Sequence, residues 1–122
     1  MLINFKNFIF KKFKRSMDNY DINYEDLKKM IAKDAILIDV RSPQEFNEGH
    51  LPGAICIPEY EIINRYKVDL RDKNKLIVLY CSSGWRSKKA QNRLKKLGYI
   101  NVYNLYNGTE GYWGFYFFML KY

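Results

Sequence analysis

The stretch "LIVLYCSSGWRSKKAQNRL", residues 76–94, decides the fold. It opens with an apolar run of the kind found in strands that are buried on both faces of a sheet. A cysteine follows, then a Ser-Ser-Gly turn, then a basic helix whose apolar face includes Ala90 and Leu94. The stretch therefore predicts a strand, a tight loop and a helix in direct succession.

Strands and helices also alternate before and after this unit. Such alternation indicates an α/β domain, a central and mostly parallel sheet with helices on both faces. Asn23 and Ser42 have the character of helix N-caps, and Gly49 and Gly98 that of helix ends. The predicted helices are 24–33, a short one that begins at Ser42-Pro43, and 59–66, and the predicted strands are 35–40, 53–58 and 101–105.

The chain of 122 residues fits one domain with flanking segments. We expect the domain to cover residues 21–122, with the aromatic tail "GYWGFYFFMLKY" packed over one sheet face or exposed for a partner or a membrane. Residues 1–20 form a basic N-terminal extension. On a helical wheel this extension is amphipathic, and we expect it to dock on the domain or a twin subunit, or to be frayed. Contact with an anionic membrane surface is the alternative for residues 1–15.

The charge distribution and the cysteine content limit the kinds of ligand and the cellular setting that we expect. The formal net charge of +8 is concentrated in residues 1–20 and 81–100, which suits a small anionic ligand. No nucleic-acid motif accompanies these charges, so no nucleic-acid partner is expected. Two cysteines make neither a disulfide framework nor a metal site, and a reduced, cytoplasmic setting is the default.

Cys81 is the candidate nucleophile. It follows a buried strand and precedes a helix, so its sulfur is expected near free backbone N–H groups at a helix N-terminus. Gly84 permits the tight turn, Arg86 adds a cation, and Ser87 is predicted to cap the helix. Lys88 and Lys89 are expected to add a positive background field that favours the thiolate. The alternative is an inert cysteine at the end of a buried strand. Cys56 lacks these neighbours and is expected to be a core residue in the middle of its strand.

Three segments resemble the rhodanese family of sulfurtransferases. They are "LIDVRSPQEFNEGHLPGAICIP" (37–58), "VLYCSSGWRSKKAQNRLKKLGY" (78–99) and "VYNLYNGTEGYW" (102–113). The likeness is to single-domain members and covers about residues 21–113. It implies the rhodanese-like three-layer fold.

The resemblance also implies a mechanism. Cys81 would attack the outer sulfur of a donor such as thiosulfate and hold it as a persulfide, then pass it to a thiol or a sulfur-acceptor protein in two-step catalysis. No metal or organic cofactor is implied, and the oligomeric state is left open. The loop that binds the donor and the persulfide comprises Ser82, Ser83, Gly84, Trp85, Arg86 and Ser87.

Residues outside the loop receive supporting roles. Asp39 and Arg41 are expected to form structural charge pairs near the loop, and Glu45 to pair with a cation on its own helix. His50 is expected to fix a turn by a hydrogen bond.

The chain departs from the family at three places. Some relatives that use thiosulfate have a cation where this chain has Ser83. Trp85 is a large residue at the rim of the loop, where we expect it to narrow the entrance to the site or to contact a partner protein. Asn107 stands where a glycine is usual, and we expect it to keep the turn because asparagine tolerates positive φ.

Two other functions fit the same fold. In phosphatases and arsenate reductases the loop between the cysteine and the arginine is one residue longer, which suits a phosphate better than a sulfur atom. A binding or scaffold module without chemistry is the second alternative, and such modules often lack the cysteine that this chain keeps.

Overall fold

The computed structural model describes residues 18–111. In this part of the chain, five parallel strands form one sheet in the spatial order β1-β5-β4-β2-β3. This sheet, with helices between its strands, confirms the predicted α/β fold. The strands are β1 (Asp21–Ile22), β2 (Ile36–Asp39), β3 (Ile55–Cys56), β4 (Ile77–Tyr80) and β5 (Val102–Leu105).

The helices largely follow the sequence pattern, with one clear difference. The predicted helix 59–66 is divided into a 3₁₀ turn and a later α-helix, since Glu61 N–H donates to Pro58 O at 2.8 Å and tightens the start. The first helix ends two residues early, and Asp34 then turns the chain with φ 64°. The α-helices are α1 (Tyr24–Ile31), α2 (Pro43–Glu48), α3 (Ile62–Asp69) and α4 (Trp85–Lys96), and the 3₁₀ turns are Glu59–Glu61 and Thr109–Gly111.

Strand β4 lies in the middle of the sheet, and all of its residues are buried. Its side chains alternate between two apolar clusters, as the pleat of a strand requires. Ile77 and Leu79 pack in the cluster that includes Ile62 of α3 and Leu94 of α4, whereas Val78 packs in the cluster that includes Leu27 of α1. Helices therefore cover both sheet faces, which confirms the predicted three-layer arrangement.

Two predicted N-caps, Asn23 and Ser42, form complete capping boxes. Asn23 Oδ1 accepts from Asp26 N–H at 2.8 Å, and Ser42 Oγ accepts from Glu45 N–H at 3.2 Å. In return the carboxylates of Asp26 and Glu45 accept from the cap N–H groups. Glu45 is thereby held at the first turn of α2.

The chain ends of the domain are only partly described. Strand β1 was not predicted, because two residues are too short for a period-2 pattern. Tyr20 and Asp18, which precede β1, already contact the domain: Tyr20 O accepts from Asn104 N–H at 2.8 Å, and Asp18 pairs with Lys88 at 2.9 Å. The predictions for residues 1–17 and for the tail beyond residue 111 lie outside the described residues. Within residues 18–111, no helix is long and apolar enough to cross a bilayer.

Candidate active site

Cys81 lies at the carboxyl end of β4, between the ends of β5 and β2. This edge of an open parallel sheet is where α/β proteins bind ligands. Cys81 is 0% exposed, so its sulfur lies below the protein surface. Residues 82–84 then form a short loop, and α4 begins at Trp85.

Three groups contact the sulfur of Cys81. Gly84 N–H donates to Sγ at 3.1 Å and Ser87 N–H at 3.4 Å. The Ser87 hydroxyl lies 3.3 Å from Sγ. Backbone N–H groups in the first turn of a helix have no carbonyl partner within the helix, and the helix dipole favours negative charge there. Two backbone N–H groups at the start of the helix and one hydroxyl therefore converge on the sulfur, which is the geometry expected of the loop.

The prediction that Ser87 caps α4 is wrong. The helix begins three residues earlier, with Gly84 at the cap position and φ 90°, a left-handed conformation that glycine adopts without strain. Ser87 is thus the third residue of the helix, and its side chain is buried against the sulfur rather than bonded to the helix end. The glycine starts the helix early enough to place both N–H groups of the cradle.

The segment that follows β5 is hydrogen-bonded to backbone carbonyl groups at the start of the loop. Thr109 N–H donates to Cys81 O at 3.0 Å, and Glu110 N–H donates to Ser82 O at 2.8 Å. Because the C=O and N–H of one peptide unit point in opposite directions, these bonds turn the N–H groups of Ser82 and Ser83 away from this segment. The segment thus fixes the orientation of the loop amides.

Gly108 makes this close approach possible. It has φ 62°, whereas Asn107 is not among the residues with positive φ. The turn is kept with Asn107 in it, as predicted, but its positive φ lies at Gly108 rather than at Asn107. A Cβ on Gly108 would lie within 2.5 Å of the carbonyl oxygens of Cys81 and Ser82. A glycine is required at position 108 because only a residue without a side chain fits against the loop carbonyls. The glycine of the "NGT" sequence, rather than its asparagine, is the residue that indicates where the positive φ lies.

Arg86 does not bring an unbalanced positive charge to the sulfur. Its guanidinium donates to Glu45 through Nη1 at 2.7 Å and Nη2 at 3.0 Å, a bidentate ion pair. The prediction that Glu45 pairs within its own helix is therefore wrong, since the partner lies on α4. The hydrogen bonds from Arg86 lower the pKa of Glu45 to about 2. Ser82 Oγ lies 3.4 Å from Nη2 of Arg86 and 3.5 Å from Oε2 of Glu45.

Two lysines at the start of α4 also lie beside carboxylates. Lys88 Nζ lies 2.9 Å from Asp18 and 3.3 Å from Asp21, and Lys89 Nζ lies 3.5 Å from Glu59. The positive field expected from Lys88 and Lys89 is therefore reduced by carboxylates that are distant in the sequence, although Glu59 is shared with Arg93 at 3.1 Å. The groups within hydrogen-bond distance of the Cys81 sulfur are backbone N–H groups and the Ser87 hydroxyl rather than side-chain cations.

Asp39 and Arg41 form a buried ion pair beside the loop. Arg41 donates to Asp39 through Nε at 3.0 Å and Nη2 at 2.7 Å, and Nη2 also donates to Gly49 O at 2.6 Å. The side chain of Asp39 is 0% exposed and that of Arg41 is 7% exposed. Burial opposes the charged form of Arg41, yet its hydrogen bonds with Asp39 raise its pKa. The pair ties the end of β2 to the end of α2.

His50 and Cys56 lie away from the sulfur cradle. His50 Nδ1 is 2.9 Å from Phe46 O and its ring stacks on the Phe46 ring, in keeping with a role in fixing the turn. The prediction that Cys56 is a core residue is wrong, because β3 is an edge strand and leaves the thiol only partly buried. Burial, with the nearby carboxylate of Asp39, raises the pKa of Cys56, which makes it a poor nucleophile.

The mouth of the site is formed by exposed residues. Ser83 is exposed, and Trp85 is 48% exposed at the first position of α4. All six predicted loop residues therefore lie around Cys81, but only Gly84 and Ser87 contact its sulfur. Within residues 18–111, no three His, Cys, Asp or Glu side chains form a group that could hold a metal ion.

Comparison with known proteins agrees with this geometry. The family model for the rhodanese-like domain matches residues 23–114. The chain is 39% identical over 67 residues to the thiosulfate sulfurtransferase PspE of Escherichia coli, a match that covers 55% of this chain and 64% of PspE. It is 36% identical over 90 residues to a sulfurtransferase of Allochromatium vinosum, covering 72% of this chain and 82% of that protein.

A solved structure gives the same result for the fold. The crystal structure of a rhodanese-related protein from Thermoplasma volcanium superposes with a TM-score of 0.66 at 31% identity. The superposition covers 75% of this chain and 87% of that one. With the family match over residues 23–114, these likenesses establish that the chain belongs to the rhodanese-like domain family.

Proposed function

We propose that this protein is a sulfurtransferase that carries a sulfane sulfur on Cys81. The observation that carries the proposal is the cradle of Gly84 N–H, Ser87 N–H and Ser87 Oγ around the buried sulfur. Such a cradle favours a thiolate, which is the nucleophilic form of cysteine. The names of the relatives point to the same reaction class.

In the first step, the thiolate of Cys81 attacks the outer sulfur of a donor such as thiosulfate. A new S–S bond forms to Cys81, and the S–S bond of the donor breaks, its electron pair leaving with sulfite. The product is an anionic persulfide on Cys81. The N–H groups of Ser82 and Ser83, which point away from the supporting segment, are the expected donors to its outer sulfur.

In the second step, a thiophilic acceptor takes the outer sulfur and releases the Cys81 thiolate. A thiol or an acceptor protein serves in this role, and cyanide serves in an assay. Each half-reaction uses the same cysteine, so the kinetics are expected to be ping-pong. The electrons balance without an external oxidant or reductant. Each step breaks one S–S bond and forms one new bond to the transferred sulfur, an S–S bond with a thiol or a carbon–sulfur bond with cyanide.

The phosphatase alternative fits the geometry less well. Four residues separate Cys81 from Arg86, and the guanidinium of Arg86 is bonded to Glu45 instead of pointing at an oxyanion site. We therefore place sulfur transfer first.

The test is a steady-state assay with thiosulfate and cyanide on wild type, Cys81→Ser and Cys56→Ser. The account expects parallel lines in double-reciprocal plots for wild type, full activity for Cys56→Ser and no activity for Cys81→Ser. Loss of activity in Cys56→Ser with retention in Cys81→Ser would refute the assignment. Activity in none of the three, with thiosulfate or with a thiosulfonate donor, would favour the non-catalytic module.

A further inference from the structure

An ion pair lies at the mouth of the loop, between two elements that are distant in the sequence. Glu45 comes from the first turn of α2 and Arg86 from the first turn of α4. The two side chains are 33% and 41% exposed, so water and a donor both reach the pair. Ser82 Oγ, one residue from the nucleophile, is within 3.5 Å of both partners.

The pair removes the net positive charge that the loop would otherwise offer. Arg86 is the one cationic side chain in the segment 81–87, and Glu45 matches it at 2.7 Å. The pKa of Glu45 is lowered by these hydrogen bonds, so the carboxylate keeps its charge at any working pH. A donor that enters the loop therefore meets backbone N–H dipoles and an ion pair without net charge, in which the carboxylate of Glu45 offsets the attraction of Arg86 for an anion.

A fixed carboxylate affects donors according to their charge. The Coulomb energy between Glu45 and a donor is proportional to the donor's charge, so a dianion is repelled twice as strongly as a monoanion at the same place. Thiosulfate is a dianion, whereas alkyl thiosulfonates and persulfides carry one charge at their sulfane sulfur. Both types transfer sulfur by the same exchange of S–S bonds, leaving sulfite in one case and a sulfinate or thiolate in the other.

We propose that Glu45 is a specificity-determining residue, which holds Arg86 away from the donor and selects singly charged sulfane-sulfur donors over dianionic ones. The inference rests on the proposed function and adds the class of donor to it. Ser83 agrees with this assignment, since it leaves the exposed rim of the loop uncharged.

The chain offers a clean variant for the test. Glutamine at position 45 keeps the carbonyl oxygen that Ser42 N–H needs, because Gln serves in a capping box as Glu does, while the charge is removed. Glu48→Gln is the matched control, since it makes the same charge change at an exposed position of the same helix. Thermal denaturation of both variants checks that the fold is kept.

The experiment compares kcat/KM for thiosulfate and for methanethiosulfonate, with cyanide as the acceptor. Relative to wild type, Glu45→Gln is expected to raise kcat/KM by about tenfold for thiosulfate and about threefold for methanethiosulfonate, as the proportionality to charge requires. Glu48→Gln is expected to leave the ratio between the two donors unchanged. Equal changes for both donors in Glu45→Gln, or no change, would overturn the inference.

Arg86→Gln tests the pair from its other side and does not disturb the capping box. It leaves the carboxylate of Glu45 unmatched, so thiosulfate is expected to lose more kcat/KM than methanethiosulfonate. An equal loss for both donors would contradict the inference even if Glu45→Gln did not fold. A wild-type protein that took sulfur from neither donor would instead refute the proposed function, and the two failures are thus distinguishable.

Discussion

Gly108→Ala tests whether the segment after β5 controls the geometry of the catalytic loop. A Cβ at this position would lie within 2.5 Å of the carbonyl oxygens of Cys81 and Ser82, although real contacts of this kind stay above 3.0 Å. The loop backbone or the segment must therefore move by at least 0.5 Å. The atoms in the way belong to the backbone, so no side chain can relieve the clash by rotating.

The expected effect follows from two separate costs. A non-glycine residue with φ near 62° costs about 1–2 kcal/mol of folding free energy. A misplacement of about 1 Å at a reacting centre costs about 100-fold in rate, so kcat/KM is expected to fall by about 10- to 100-fold. The activity loss thus comes from the displaced loop amides and the stability loss mainly from the backbone strain.

Gly53→Ala is the matched control for this prediction. Gly53 has φ 80°, yet a Cβ there would have no heavy atom within 4 Å. Both variants are expected to lose free energy of unfolding in urea denaturation, Gly108→Ala the more because the clash adds to the strain. Only Gly108→Ala is expected to lose activity in the thiosulfate–cyanide assay. If Gly108→Ala retained the kcat/KM of Gly53→Ala, the proposed coupling between this segment and the loop would be refuted.

Three further predictions concern the polar groups around the loop. Ser87→Ala removes the hydroxyl next to the sulfur and is expected to slow sulfur loading about tenfold in single-turnover kinetics, since a hydrogen bond to a charged group contributes about 1.5–3 kcal/mol; an unchanged rate would exclude that role. Asp39→Asn leaves the buried Arg41 without a counterion and should lower the free energy of unfolding by about 3–5 kcal/mol, whereas a loss below about 1 kcal/mol would contradict the account. The pKa of Glu45 falls from 4.5 to about 2 on folding, so its pair with Arg86 stabilises the fold fully above pH 4.5 and less as the pH falls toward 2. The stability difference between wild type and Glu45→Gln should therefore shrink in acid, and a difference that stayed constant from pH 6 to about 2 would disprove this linkage.

Local signals were sufficient to predict the framework of the domain. Strand β4 is buried on both faces and therefore reads as an apolar run, and the capping boxes at Asn23 and Ser42 are contained within four residues each. The position of Cys81 between a strand and a helix follows from the same local pattern. These features depend on neighbours in the sequence, and a single sequence carries that information.

The electrostatics of the site depended on contacts that sequence spacing does not reveal. Glu45 and Arg86 are separated by 41 positions, and their pairing follows from how α2 and the start of α4 meet at one edge of the sheet. Lys88 is likewise matched by Asp21, which is 67 positions away on β1. The sequence identifies these cations, but the tertiary structure determines which carboxylates pair with them.

The two errors in the loop have a common cause. Ser87 was assigned as a cap, and Asn107 as the residue with positive φ, from average residue preferences. In the structure Gly84, whose tight turn was predicted, is also the helix cap, and Gly108 holds the positive φ. Each glycine lies where another group must approach closely, the sulfur in one case and the loop carbonyls in the other. Close approach of backbone segments is a tertiary constraint, and it outweighs local preference.

Intact-protein mass spectrometry after brief incubation with a sulfur donor tests the central claim most directly. With thiosulfate or methanethiosulfonate, the account predicts that wild type and Cys56→Ser gain the mass of one sulfur atom and lose it again when cyanide is added. Cys81→Ser should gain nothing under the same conditions. A sulfur atom that remained on the Cys81→Ser protein, or none on wild type with either donor, would contradict the assignment of Cys81 as the sulfur carrier.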